Sequence, residues 1–499
     1  MDDDACYRAL LTRDARFDGR LFVGVKSTGI YCRPICPART PMRKNVTFHP
    51  TAAAAQEAGF RPCLRCRPET SPDLASWRGT SNTVSRALSL IESGALDEGD
   101  VDTLAGRLGV GERQLRRLFQ QHLGASPVAV AQTRRVLLAK QLIHETRLPM
   151  AEVALASGFG SVRRFNETFA QLFRRPPASL RRKGGPELSA GEAGAVSVSL
   201  PYRAPYDWDA QIAFLTLRAI PGVEQVKNGV WSRTIAFGNE TGVVSVSQGE
   251  GDRLNVAVRF PRLAALPQII ARVRRTFDLA ADPQDIGAQL SRDPVLAPLI
   301  EARPGLRVPG AWDGFELAVR AILGQQITVP AAIVLAGKIV AEHGTRLAVP
   351  VPGLEGLTHV FPTPAQLAAA DLSGLPMPGA RQRALSSMAQ AIVADPLIFG
   401  PTRELDDAIK QLKALPGIGE WTAQYIAMRE LREPDAFPAA DIGLMRAYAG
   451  PDGVRPSPAE LAAHAEAWRP WRAYAAQHLW ASEPHPNPKE KSDARSKAA

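Results

Sequence analysis

The chain has 499 residues, 45% of them hydrophobic, and 60 Lys+Arg against 50 Asp+Glu give a formal net charge of +10. At about 100–200 residues per domain this length calls for several domains, and the ordinary apolar content excludes large-scale disorder. No run of eighteen apolar residues occurs and the first residues, Met-Asp-Asp-Asp, are acidic, so neither a membrane span nor a secretory signal is expected.

The charge is unevenly placed. Residues 1–80 carry a net +5 and residues 81–185 a net +7, whereas 186–499 carry −2. A basic front half points to a polyanion, most simply nucleic acid, with a solvated charged surface as the plain alternative.

All five cysteines fall within the first 66 residues. Cys32 and Cys36 form a C-x3-C pair, Cys63 and Cys66 a C-x2-C pair, with 26 residues between. Two short-spaced thiol pairs joined by a loop suit tetrahedral zinc. Buried apolar cysteines are the alternative, but Pro34, Pro37, Pro62 and Pro68 make these segments turns rather than core. The surrounding "VGVKSTGIYCRPICPART…FHPTAAAAQEAGFRPCLRCRPE" resembles the N-terminal domain of the Ada family of alkylation sensors over about residues 5–75. That resemblance implies that Cys32 accepts a methyl group from a methylphosphotriester, with Cys32, Cys36, Cys63 and Cys66 holding Zn²⁺. Zinc keeps sulfur deprotonated and nucleophilic. Four thiolates on Zn²⁺ carry a formal −2 that repels phosphate. Methylation leaves −1, and Arg33, Arg39, Arg43, Lys44, Arg65 and Arg67 are expected to grip the backbone more tightly. Cys6 lies outside the motif and is expected to be a spectator.

Residues 82–184 read as helical. "VDTLAGRLGVGERQLRRLFQQHLGASP" is a helix, a glycine turn and a second helix with Arg113, Arg116 and Arg117 on its outer face. "MAEVALASGFGSVRRFNETFAQLFRRPPASLRR" repeats the plan, with Arg163, Arg164 and Asn166 on the second helix. A helical bundle with a basic face would look similar, but spacing, turn and charge favour paired helix-turn-helix units. The segment resembles the AraC-type DNA-binding domain. "KGGPELSAGEAGAVSVS" then reads as a linker over 185–197.

From residue 198, alternating stretches such as "GVWSRTIAF" and "RLNVAVRF" predict a small antiparallel sheet, and amphipathic helices dominate after Pro309. In "LPGIGEWTAQYIAMR", Leu415, Gly417 and Gly419 form a turn whose glycines let backbone N–H groups approach a DNA phosphate, although such strings also make ordinary turns. Asp441 follows in "FPAADIGLMRAY". Together with "WDGFELAVRAILGQQITV" and "AEAWRPWRAYAAQHLW", residues 200–485 resemble the helix-hairpin-helix glycosylases of the AlkA type, 3-methyladenine DNA glycosylase II. The resemblance implies base flipping, with Asp441 catalytic rather than merely a helix N-cap, and Trp421, Tyr425 and Trp480 lining the base pocket. Lyase relatives carry a lysine where this chain has Trp421, so hydrolysis without a Schiff base is expected. The absence of cysteines after Cys66 excludes the iron–sulfur cluster of some relatives. Gln326 stands where the type member of the family inserts a leucine wedge, so a polar residue would fill the gap left by the base.

The expected protein is multidomain α+β. A zinc-bound domain (1–78) precedes an all-α double helix-turn-helix domain (82–184) and the linker (185–197). An antiparallel β subdomain (198–305), an all-α helix-hairpin-helix glycosylase domain (306–484) and a flexible tail (485–499) follow. The combined resemblance implies a sensor of DNA alkylation that activates transcription and excises alkylated bases such as 3-methyladenine. It implies double-stranded DNA and RNA polymerase as partners, no membrane, a monomer, and a bacterial cytoplasmic location at the nucleoid. The competing reading is a transcription regulator whose glycosylase-like domain only binds DNA.

Overall fold

The computed structural model describes residues 2–72, 82–181, 195–396, 398–399, 405–449 and 453–482. Most of the expected linker and all of the expected tail lie outside them. The end of that linker is corrected: Val196–Pro201 is already a strand.

At the front, four short strands form a sheet in the order Val46–His49, Phe22–Val25, Ile30–Cys32, Arg61–Pro62. Its first three strands pair antiparallel, while Ile30 and Tyr31 pair in parallel with Arg61 and Pro62. That register carries the chain from Cys32 and from Cys63 off the same end of the sheet.

The next module is helical. Val101–Arg107 and Glu112–Leu123 flank one turn, and Met150–Ala156 and Val162–Phe173 flank another. The 19-residue helix Pro127–Glu145 joins the two units. Gly158, at φ +86°, makes the second turn, and a Cβ there would lie 2.5 Å from the Asp97 carboxylate. Phe165, Phe169 and Phe173 recur at i, i+4, i+8 and are all buried, with successive ring centroids 4.8 and 5.4 Å apart. Burying each ring contributes about 2–3 kcal/mol, which holds this helix and leaves its other face to solvent.

The rear half begins with a five-stranded antiparallel sheet in the order Val196–Pro201, Arg253–Arg259, Glu240–Gln248, Val230–Phe237, Glu224–Lys227. Alternation in the sequence marks four of these strands. Glu224–Lys227 is too polar to show it. The sheet shares one continuous apolar core with the second helix-turn-helix unit, including Leu142, Phe159, Leu200 and Val256. Val196–Pro201 is an edge strand, and its exposed backbone would invite further pairing. The joining helix covers it: Gln141 donates to the Ser199 carbonyl at 2.7 Å, and Ser199 N–H donates to Glu145 at 3.0 Å. Helices from Gly314–Leu323 to Arg472–Ser482 pack around a separate core. This part is not wholly helical, because Thr345–Arg346 and His359–Val360 form a two-stranded ribbon.

Candidate metal centre and base-binding pocket

Cys32 ends its strand, and Cys63 follows Arg61–Pro62, donating its backbone N–H to the Tyr31 carbonyl at 3.0 Å. The turn after Cys32 returns Cys36 to the same point through a Cys36 N–H to Arg33 carbonyl bond of 3.1 Å. All four Sγ atoms lie within 4.8 Å of one another. Tetrahedral zinc with Zn–S of about 2.3 Å separates its sulfurs by about 3.8 Å, so the donor set fits that ion. Backbone N–H groups of Arg33 and Arg65 each approach a sulfur, Cys66 and Cys63 respectively, at 3.3 Å, easing negative charge on it. Four sulfurs this close cannot all carry negative charge without a counter-ion among them. Such a cluster is resolved by a cation, and this is a zinc site. Cys36, Cys63 and Cys66 are buried, whereas Cys32 is partly open. Cys6 sits buried in the Asp3–Leu11 helix, apart from the cluster, with its thiol pushed up by burial.

The cations expected around this centre divide in two. Arg39, Lys44 and Arg65 are exposed. Arg33 is buried, bonding Asp18 at 2.8 Å, Thr70 at 2.7 Å and the Cys66 carbonyl at 3.1 Å. Its role is to brace the cysteine loops, because its donors are spent inside. Arg67 is likewise held by Glu69 at 3.1 Å and Glu145 at 2.9 Å. Arg43 pairs with Asp3 at 3.1 Å.

In the helical module Arg113, Arg116, Arg117, Arg163, Arg164 and Asn166 are all exposed. Arg116 bonds Glu112 at 2.6 Å and Arg163 bonds Glu167 at 2.8 Å, both one turn along their own helices. Exposed pairs of this kind are worth only a few tenths of a kcal/mol and yield readily to a phosphate.

In the rear domain the helices Leu405–Lys413 and Glu420–Arg429 are joined by a tight turn. Leu415 is buried beneath it and accepts the Ile418 N–H at 3.2 Å. Gly417 has φ +82°, and a Cβ there would lie 2.7 Å from Ala384, so only glycine fits. Gly419 caps the second helix with no side-chain hydrogen bond, and the space where its Cβ would stand is open. The first N–H groups of that helix are therefore left for an outside acceptor.

This helix also presents Trp421 and Tyr425 one turn apart, stacked with centroids 5.1 Å apart and planes 10° from parallel. Trp480, from Arg472–Ser482, stands 6.4 Å from Tyr425 at 65°. Both indoles reach Asp441: Trp421 Nε1–H donates to Oδ2 at 2.7 Å, and Trp480 Nε1–H to Oδ1 at 3.0 Å. Asp441 also caps the Ile442–Ala447 helix by accepting Leu444 N–H at 2.9 Å. All three donors are neutral, and among the described residues no cation is paired with this carboxylate. Gln326 lies exposed in the turn between Gly314–Leu323 and Val329–His343, at φ +61°. Its neighbour Gln325 ties that turn to the hairpin by donating to the Gly417 carbonyl at 2.9 Å.

Sequence reading missed the back of the pocket. Arg429 lies 4.8 Å from the Tyr425 ring centroid and 4.5 Å from that of Phe214, which in turn carries Arg218 at 3.9 Å. Burial works to raise the Tyr425 phenol, yet Arg429 and Arg218 outweigh it and hold its pKa below the ordinary value. Phe214 and Arg218 come from the helix Trp208–Arg218, more than 200 residues before Tyr425, and no local motif links them.

Three family descriptions match parts of the chain: "Metal binding domain of Ada" over residues 5–69, "Helix-turn-helix domain" over 104–183 and "AlkA N-terminal domain" over 197–313. The "Probable bifunctional transcriptional activator/DNA repair enzyme AlkA" of Mycobacterium tuberculosis is 43% identical over 488 residues, 97% of each chain. "DNA-3-methyladenine glycosylase 2" of Escherichia coli is 36% identical over 292 residues, 57% of this chain and 97% of that one. The "Bifunctional transcriptional activator/DNA repair enzyme Ada" of Escherichia coli is 35% identical over 135 residues, 27% of this chain and 37% of that one. No helix among the described residues is long and apolar enough to cross a membrane. Identity at this level over nearly the whole of both chains shows that the protein belongs to the family of bifunctional transcriptional activator/DNA repair enzymes that join an Ada-type metal-binding front to an AlkA-type rear.

Proposed function

We propose that the chain senses methylphosphotriesters through Cys32, activates transcription through its paired helix-turn-helix units, and excises alkylated bases such as 3-methyladenine by hydrolysis. The observation that carries the enzymatic half is Asp441, a carboxylate held by two pocket indoles and a backbone N–H. Cleavage of the N-glycosidic bond builds positive charge on the sugar. Asp441 is fixed by three neutral donors, so its carboxylate is already oriented for that oxocarbenium-like state and need not reorganise. Trp421 and Tyr425 stack on the flipped base, and a cationic alkylated base gains most from their electron-rich faces. Trp421 occupies the place of a lyase's amine, so water completes the reaction. The amides after Gly419 hold a phosphate, and Gln326 fills the gap left in the duplex.

At the front, Cys32, Cys36, Cys63 and Cys66 would hold Zn²⁺, which would keep their sulfurs deprotonated. Cys32, the most open of the four, attacks the methyl carbon of the phosphotriester, and the phosphodiester leaves with the bonding pair. The cysteine is consumed, so one chain reports one lesion. Arg39, Lys44 and Arg65 hold the backbone in this reading, and Arg113, Arg116, Arg117, Arg163, Arg164 and Asn166, all exposed, contact promoter DNA. RNA polymerase as partner, a monomeric state and a location at the nucleoid belong to the same proposal.

Two assays on the wild-type chain test it: release of 3-methyladenine from alkylated DNA, and transfer of labelled methyl from methylphosphotriester DNA to the protein. A chain that releases no base leaves only the regulator. A Cys32→Ala variant that still takes up label removes the assigned acceptor.

A further inference from the structure

Lys140 lies on the helix Pro127–Glu145, which carries a helix-turn-helix unit at either end, and its side chain has no exposure at all. A buried ammonium persists only when it is paired. Its Nζ donates to the backbone carbonyl of Cys63 at 2.9 Å and to the Glu69 carboxylate. A fixed cation from the DNA-reading module therefore stands against the main chain of a zinc ligand. The same helix makes a second attachment through Glu145, which accepts Arg67 of the cysteine loop at 2.9 Å. Glu69 links the two, pairing with Arg67 at 3.1 Å and lying 3.5 Å from His144.

Held on the main chain of one ligand, this cation stands beside a centre whose formal charge with zinc bound would be −2, and methylation of Cys32 would leave −1. The share of the attraction that Lys140 draws from the centre falls accordingly, while the Lys140–Glu69 and Arg67–Glu145 pairs remain. We propose that Lys140 couples the charge of the four-cysteine centre to the helix-turn-helix module, so that methylation of Cys32 loosens the helix joining the two DNA-reading units. This rests on Cys32 being the acceptor. Coupling of this kind is reciprocal: docking of the helix on the front domain favours the unmethylated centre.

The test uses the full zinc-loaded chain and methyl iodide. The Cys32 thiolate forms an S–CH3 bond as the C–I bond breaks, and iodide leaves with the bonding pair. Peptide mass mapping locates the methyl group, metal analysis counts zinc, and amide hydrogen exchange follows residues 138–145. In the wild type, methylation is expected to speed exchange in that segment about tenfold. Lys140→Gln keeps N–H donors but removes the charge and should abolish the acceleration. Lys140→Arg should retain it, and Glu69→Gln, which removes the offsetting carboxylate, should enlarge it. Methyl absent from Cys32 overturns the acceptor reading and this proposal with it. Methyl on Cys32 with unchanged exchange overturns the coupling alone, as does the same acceleration in Lys140→Gln. Should Lys140→Gln lose zinc, Glu69→Gln decides, and a response equal to the wild type's refutes the proposal.

Discussion

Trp421 donates its indole N–H to Asp441 Oδ2 at 2.7 Å, joining the helix that follows the glycine hairpin to the cap of the Ile442–Ala447 helix. The bond fixes the carboxylate relative to the aromatic stack, so a pocket wall also orients the charged group. Replacing Trp421 with Phe keeps a ring for stacking but removes the donor. Loss of one such bond to a charged acceptor is worth about 1.5–3 kcal/mol, an expected fall in the excision rate of about 10- to 100-fold at saturating enzyme. Single-turnover base release measures it, and a rate within twofold of wild type would show that the bond does not position Asp441.

Gln326 holds a left-handed backbone that a residue with a Cβ adopts at a cost of about 1 kcal/mol. Gln326→Gly is expected to raise thermal stability by about 0.5–1 kcal/mol and, if Gln326 fills the vacated stack as proposed, to slow excision. Calorimetry and base release on the same variant should move in opposite directions.

Zinc removal should act on one end of the molecule. The front sheet is small, with strands of two to four residues, and depends on the cysteine loops that close it. The rear domain has its own core. A chelator is expected to unfold the front while base excision persists. Far-UV circular dichroism and base release, followed together during chelation, check this.

Glu316 lies buried between Arg233 at 2.7 Å and Arg320 at 2.6 Å. Burial works to raise its carboxyl, but the two guanidinium groups outweigh it and hold its pKa at about 2. A folded pKa below the unfolded value adds stability above about pH 4.5 that is lost as pH falls towards 2. Glu316→Gln should destabilise the rear domain by about 3–5 kcal/mol at neutral pH and flatten its acid limb. Thermal melts from pH 7 to pH 3 report both effects.

Local chemistry was the legible part of this chain. Cysteine spacing marks the metal centre because ligands within one tight turn must be sequence neighbours. Period-two alternation marks Val230–Phe237 and Arg253–Arg259, since one face of each strand is buried. Contacts between distant residues leave no such trace. Arg33 reads as one more basic residue beside Cys32, yet Asp18 and Thr70 draw it inside. Lys140 looks like an ordinary helical lysine, and its partner Glu69 lies 71 residues away. Asp441 shows a further limit: the helix-cap reading is geometrically true, and the same side chain still has Oδ2 turned to the pocket.

In the proposed reaction Asp441 supplies charge to bond cleavage as well as capping a helix. Asn at position 441 preserves a cap acceptor and shape while removing the charge. Single-turnover release of 3-methyladenine from one alkylated duplex, by wild type and by Asp441→Asn, is the most direct measurement. The expected result is release by the wild type and a rate lower by about 100- to 1,000-fold in a variant that binds the duplex equally well. Equal rates in the two proteins would show that the Asp441 charge takes no part in cleavage.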